Sequence, residues 1–355
     1  MSILDDPKRC AEIDPTGMLR WVENFPSLCE QGIELGQKAP LPPREKLQTL
    51  MNIVIAGMGG SAMGGDLVRS FAKPQCDYPI EVVRDYQIPD YAGVSSLVFA
   101  CSFSGNTEET LSAYDKALEA GACLVGLTTG GKLLERCERD GTPCIQIPGG
   151  MSPRAALPLS WFSLIAYWAR LELIDVAQTE LDDLIQTARR CVEQYGGQVP
   201  LSSNPAKQLA TQLVDKIPVM YASEGPFEPV ARRWRAQFNE NAKVFAHDMT
   251  VPEMNHNEIL GWKNPASLLK HFYVICLRDQ GDLRACSKRF EVMQPIIEPV
   301  AGGYATVASE GRHTLGRMVS LVMLGDFTSV YLAYLLGEDP VPIPAIDHFK
   351  AELGK

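Results

Sequence analysis

The chain has 355 residues and a formal net charge of -10 at neutral pH, with 46% hydrophobic and 21% charged residues. That balance is globular and leaves room for about two domains, each with a core of its own. It excludes duplex nucleic acid and anionic membrane as main partners, since both require a basic field. A small phosphate is still compatible, because backbone N–H groups and one or two local cations can hold one inside an acidic protein. Ten cysteines and five histidines contain no CxxC and no zinc-ligand spacing. Reduced, mostly buried thiols in a cytoplasmic protein are expected, with no metal and no cofactor. The amino terminus, MSILDDPKRC, has no apolar leader core. The most apolar window, residues 158–174, carries Arg170 and Glu172 and is shorter than the ~20 residues of a membrane span. It reads as a buried core helix.

Residues 1–45 form a helical, then turn-rich segment: Trp21, Phe25 and Leu28 have helical spacing, and Pro40, Pro42 and Pro43 end it. A regular alternation follows. Residues 51–56 (MNIVIA) are a β-branched apolar run, predicted as a buried parallel strand, followed by glycines and a helix over 62–71. Residues 80–84 and 96–101 are further strands, 102–107 a polar loop and 108–120 a helix; strands at 122–127 and 143–147 enclose another helix. The second half repeats the rhythm. Strands are expected at 218–222, 271–277 and 304–308, helices at 230–243 and around 287–295, and a long apolar helix at 315–336. The fold class is α/β: two similar, flavodoxin-like, doubly wound parallel subdomains with helices on both faces. The Gly-, Pro- and Ser-rich stretch 196–205 is the expected linker. The expected domains are a segment 1–45, a first domain 46–195 carrying phosphate loops, and a second domain 205–355.

Two loops after strands of the first half carry chemistry. The first runs Gly57-Met58-Gly59-Gly60-Ser61-Ala62-Met63-Gly64-Gly65 into a helix. Glycines let backbone N–H groups approach an anion at the positive helix end. Alone, the loop also reads as the G-x-G-x-x-A of a dinucleotide site, with Asp85 near the place of a ribose-binding acid. The second loop, Ser102-Phe103-Ser104-Gly105-Asn106-Thr107, offers hydroxyls of Ser102, Ser104 and Thr107 and several amides around one point, which suits a phosphomonoester. Taken singly, it could be no more than an N-cap with hydroxyl turns. Two such loops at neighbouring strand ends favour a phosphate.

GMGGSAMGGD, SFSGNTEET and GGMSPRAALP, then RRWRAQFNENAK, PEMNHNEILGW and SVYLAYLLGEDPVPIPAIDHFK, in that order, resemble the sugar isomerase (SIS) fold. More closely, they resemble the bifunctional phosphoglucose/phosphomannose isomerases. The resemblance runs from about residue 51 to residue 350. It implies metal-free interconversion of glucose 6-phosphate and mannose 6-phosphate with fructose 6-phosphate, by ring opening and a cis-enediolate. It implies phosphate binding by Gly59, Gly60, Ser61, Ser102, Ser104 and Thr107. It makes Glu240 the base that moves the proton between C2 and C1, where local reading leaves Glu253 and Glu258 as rivals. It makes His256 and Lys350 the ring-opening groups, which local reading would leave as an incidental loop histidine and a solvated lysine. Arg154, fixed behind Pro153, becomes the cation beside the enediolate. It further implies a homodimer with shared sites, His256 coming from the neighbouring subunit. Phe103 stands where a Tyr is common and Pro158 where a small residue is usual. Val341-Pro342-Ile343 lacks a hydroxyl where relatives that accept both C2 epimers carry a Thr.

Other classes fit less well. A sugar-phosphate sensor on the same fold would keep the loops and lose Glu240, His256 or Lys350, all of which are present. An isomerase acting on a different phosphosugar would keep them all. A transcriptional regulator needs a basic helical domain, and residues 1–45 are too short and too acidic for one. A glutamine-dependent aminotransferase needs a nucleophilic-cysteine domain, which the surroundings of Cys10 do not provide.

Overall fold

Short apolar runs build two all-parallel sheets. The computed structural model describes residues 2–353. The first sheet contains β1 (Asn52–Gly57), β2 (Ile80–Val83), β3 (Ser96–Ser102), β4 (Cys123–Thr128) and β5 (Cys144–Gln146), in the order β2-β1-β3-β4-β5. The second contains β6 (Ile217–Ser223), β7 (His247–Val251), β8 (Phe272–Arg278) and β9 (Gly303–Ala308), in the order β7-β6-β8-β9. The two orders are the same through their first four strands, the flavodoxin-like winding expected of the sequence. Ile53, Val54, Ile55, Leu97, Val98 and Phe99 are fully buried, as strands covered on both faces must be.

Right-handed crossovers decide which face each helix covers. In the first sheet, helix Gly59–Ala72 returns from β1 to β2 on one face. Helices Glu108–Glu119 and Gly131–Asp140 return the other way, on the opposite face, where Leu111, Tyr114, Leu133 and Cys137 pack on Val54, Val98 and Leu124. In the second sheet, helix Glu228–Asn241 covers one face between β6 and β7. The segment between β7 and β8 and helix Arg284–Ile297 cover the other, where Met254, Trp262, Phe290 and Met293 cluster with Val219, Tyr221, Val274 and Cys276.

The chain forms two compact units, residues 24–185 around the first sheet and residues 1–23 with 186–355 around the second. The amino-terminal residues are thus shared out. Helix Phe25–Lys38 lies along helix Leu157–Arg170, a close approach allowed by Gly36, where a Cβ would stand 2.2 Å from Ser163 O. Residues 1–23 are tied to the second unit: Tyr334 donates to Asp14 at 2.7 Å, and buried Lys207 donates to Leu4 O at 2.6 Å. The stretch 196–205 is not a free linker. Buried Asn204 donates to Tyr195 O and Gly196 O, and Lys207 to Gly197 O, which pins it inside the second unit. Strand β7 and helix Gln178–Tyr195 were not anticipated; β7 (HDMTV) is a half-buried edge strand without an apolar run.

Helix Thr314–Leu336 is long and apolar enough to cross a membrane, with a mean hydropathy of 1.6, but 89% of that window is buried within the protein. It is the core helix of the second unit. Asp326 lies in its middle, 2% exposed, and accepts from Arg233 Nε at 3.0 Å, Arg233 Nη2 at 2.8 Å and Gln237 Nε2 at 2.9 Å. Trp234 Nε1 donates to Leu321 O and Asn241 Nδ2 to Ser329 Oγ. Gly325 makes room for Trp234, whose Nε1 would be 2.4 Å from a Cβ there. These bonds fix the rotation of helix Glu228–Asn241 against its neighbour. Asp326→Ala strands a buried guanidinium and is expected to remove about 3–5 kcal/mol of stability, whereas Arg233→Met with Asp326→Leu recovers most of it. Denaturant titration of the three proteins measures this, and a loss below about 1 kcal/mol in the single variant would show the pair to be dispensable.

Candidate active site

In the first unit the two predicted loops meet at the carboxyl ends of β1 and β3, the point where the strand order reverses. Open α/β sheets take their ligands there. Helix Gly59–Ala72 begins directly after β1, with Gly59 at φ 51° and no side-chain cap at Met58. Its first-turn N–H groups are donors of the kind an anion completes. Ser61 Oγ accepts from Phe103 N–H at 3.1 Å and so joins the first loop to the second.

The second loop is shaped by its own hydroxyls. Buried Ser102 Oγ lies 2.8 Å from Thr107 Oγ1, and Ser104 Oγ accepts from Asn106 N–H at 3.2 Å. Thr107 is the N-cap residue of helix Glu108–Glu119 yet gives that helix no side-chain bond. Ser104 is exposed and Thr107 half-buried. A third loop, missed in the sequence, braces this one. Thr129 donates through N–H and Oγ1 to Phe103 O, and Lys132 N–H donates to Asn106 Oδ1. Gly105, at φ 68°, presses on it so closely that a Cβ would stand 1.7 Å from Gly130 O. The run Thr128-Thr129-Gly130-Gly131 after β4 was the available signal.

Arg154 is brought to the same place. Gly60 packs against residues 153 and 154, with a hypothetical Cβ 3.3 Å from Pro153 O and 3.7 Å from Arg154 Cα. The Arg154 side chain is 3% exposed and donates to Ser152 Oγ at 2.9 Å. Two glycine- and hydroxyl-bearing loops and a buried guanidinium thus converge on one switch point. Asp85, the acid of the dinucleotide reading, accepts from Tyr86 N–H and Gln87 N–H and shapes its own turn.

The second unit treats its switch point differently. Asp279 follows β8 and accepts from Arg317 Nε at 2.8 Å, Gly281 N–H at 2.7 Å and Ser309 Oγ at 2.5 Å, while Asp282 accepts from Arg278. Acidic groups with cationic partners of their own fill the place that corresponds to the 102–107 loop of the first sheet. Glu240 stands elsewhere, half-buried in the last turn of helix Glu228–Asn241. Lys243 Nζ donates to Glu240 O and Asp339 O, which clips that turn to the segment leading into helix Pro344–Leu353. Lys350 is exposed on that last helix. His256 is exposed at the end of the turn Glu253–His256, between Met254 and Trp262, on the sheet face opposite to the Glu240 helix.

The rival carboxylates are engaged. Glu253 Oε1 accepts from Asn257 Nδ2. Glu258 accepts from Tyr221 OH at 2.5 Å and pairs with His247 Nε2 at 2.9 Å, while Trp262 Nε1 donates to Tyr221 OH. The bond to Glu258 raises the His247 pKa above its ordinary 6.5, despite partial burial. Burial alone would raise Glu258, but the bonds from His247 and Tyr221 hold it below its ordinary 4.5. The raised His247 adds stability that is complete below pH 6.5 and lost as pH rises through its folded value. The lowered Glu258 adds stability that is complete above pH 4.5 and lost as pH falls through its own. The pair therefore supports the fold most fully between those two values. Melting temperatures of wild type and His247→Gln should differ most near pH 5–6 and converge toward pH 9; a difference constant over that range would remove the pair from the account.

Two flavodoxin-like parallel sheets flanked by helices define an α/β protein of the sugar isomerase type. Residues 202–353 match the family described as the bacterial phospho-glucose isomerase C-terminal SIS domain. The bifunctional phosphoglucose/phosphomannose isomerase of Caldicellulosiruptor bescii is 38% identical over 95% of this chain and 99% of its own length. That of Aquifex aeolicus is 35% identical over 85% of this chain and 90% of its own. This chain belongs to the bifunctional phosphoglucose/phosphomannose isomerase family. A glucose-6-phosphate isomerase like protein from Thermus thermophilus shares the fold, with a TM-score of 0.63 over 98% of this chain and all of that one, at 19% identity.

Proposed function

We propose that the protein interconverts glucose 6-phosphate and mannose 6-phosphate with fructose 6-phosphate as an aldose–ketose isomerase. The observation that carries the reaction is end-to-end similarity to isomerases of that specificity. On this reading the 57–61 and 102–107 loops hold the phosphate, with N–H groups at Gly59 and Gly60 and the hydroxyls of Ser61, Ser104 and Thr107 as donors. Buried Ser102 shapes the loop. Arg154 offers the cation that steadies negative charge on the enediolate, and its burial strengthens that effect. Glu240 carries the proton between C2 and C1, and His256 and Lys350 open the ring. None of these steps calls on a metal.

Glu240 and His256 of one chain lie on elements that cover opposite faces of the second sheet, which supports their serving different sugars. The protein on this reading is a homodimer whose sites are shared, each taking His256 from the neighbouring subunit. Exposed Leu260 beside His256 supports a covered surface there, as do exposed Ile346, Phe349 and Leu353 on the last helix. Ten free cysteines support a reducing, cytoplasmic location.

A coupled assay on both aldose phosphates with EDTA present should show turnover, and Glu240→Gln should lower kcat by about 10²–10⁴-fold. Absent turnover, with sugar phosphate still raising the melting temperature, would leave a sensor. Glu240→Gln and His256→Ala subunits, each inactive alone, should regain roughly a quarter of wild-type activity when dissociated and mixed, because half the dimers would then hold one intact site. A mixture as inactive as its components would sink the shared site.

A further inference from the structure

Two of the ten cysteines are in contact. Cys137 lies on helix Gly131–Asp140, 1% exposed, and half-buried Cys144 opens β5. Their sulfurs are hydrogen-bonded to each other. They meet over Gly126 on β4, the register partner of Cys144, where a Cβ would stand 2.5 Å from Cys137 Sγ and 3.2 Å from Cys144 Sγ. A glycine in the middle of a buried strand weakens it and marks a close approach. Here it clears a notch that two sulfurs fill. The neighbouring Cys144 S–H draws the Cys137 thiol below its ordinary value, while Cys137 and burial hold the Cys144 proton back.

We infer that Cys137 and Cys144 are an oxidative modification site, closing to an intramolecular disulfide with hydrogen peroxide and thereby disturbing the 102–107 loop, the second part resting on the phosphate-binding reading above. The Cys137 sulfur, whose thiolate the neighbouring Cys144 stabilises, attacks one peroxide oxygen. The O–O bond breaks, hydroxide leaves and takes up a proton as water, and Cys137 becomes a sulfenic acid. The Cys144 sulfur then attacks the Cys137 sulfur. The S–O bond breaks, and the departing hydroxide takes the Cys144 proton to form a second water. Two thiols give up two electrons, and peroxide becomes two waters. The contact shortens to about 2.05 Å, which draws the helix onto β5. The start of that helix is fastened to the loop by Leu133 N–H to Gly105 O at 2.9 Å and Lys132 N–H to Asn106 Oδ1 at 3.2 Å. The strain therefore reaches Ser104 and Asn106.

The test uses the full chain as wild type, Cys144→Ser and Cys137→Ser, treated with hydrogen peroxide, alkylated and digested without reductant. Wild type should yield tryptic peptides 137–139 and 140–154 joined, about 2 Da lighter than their sum, and reductant should separate them. Its KM for fructose 6-phosphate should rise about two- to tenfold and recover with dithiothreitol, as expected of a displaced binding loop. Neither serine variant should show the joined peptides or the KM change, and if one fails to fold the other serves. Sulfinic acid at Cys137 without joined peptides would overturn the site, and joined peptides with unchanged KM would overturn the coupling. Wild type without any isomerase activity would count against the isomerase reading, while the peptide masses would still decide the thiol pair.

Discussion

The buried ion pair between Arg233 and Asp326 is the constraint on which the second unit turns. Two charges removed from water must be matched closely or they destabilise the fold. Burial pushes the Asp326 carboxyl up, and the facing guanidinium draws it back. With Gln237 and Asn241 in the same stripe, the pairing leaves helix Glu228–Asn241 one rotation against the apolar helix Thr314–Leu336. Leucines in their place would pack as tightly and allow slippage. Because Glu240 occupies the last turn of this helix, the ion pair also decides which way that carboxylate faces.

The two sheets repeat one winding and diverge at its switch point. In the first, small residues and uncapped helix starts leave N–H donors and hydroxyls around a space, with Arg154 held close behind by Gly60. In the second, Asp279 and Asp282 are satisfied by Arg317 and Arg278. The same topology thus carries small and hydroxyl-bearing loops at one switch point and internal salt bridges at the other.

Most of the architecture was legible because buried parallel strands announce themselves as β-branched runs, and MNIVIA, SLVFAC and HFYVICL did so. β7 was not, because an edge strand beginning His247-Asp248 has only half its surface to bury. The two loops that meet after β1 and β3 were legible from glycine and hydroxyl chemistry. The bracing loop was passed over although Thr128-Thr129-Gly130-Gly131 carries the same residue types; its bonds to Phe103 and Asn106 are what give it a role. Glu240, His256 and Lys350 could be singled out only by resemblance. Their side-chain types are common, and nothing in their local sequence marks them. The stretch 196–205 misled for a related reason. Gly, Pro and Ser mark a break in regular structure, and they say nothing about whether Asn204 and Lys207 then anchor it.

The apolar helix Thr314–Leu336 also bears on how the chain is made. A 23-residue segment of this character is a hazard while it is uncovered. It lies late in the sequence, so the ribosome releases it only after the helices that will cover it, including Glu228–Asn241, have already emerged. Asp326 then serves a second purpose before any native contact exists. A carboxylate at the centre of an otherwise insertable segment makes a bilayer a poor destination, while Arg233, synthesised earlier, waits as its counter-ion. The order of synthesis and the position of one charge together direct this helix into the protein's own core.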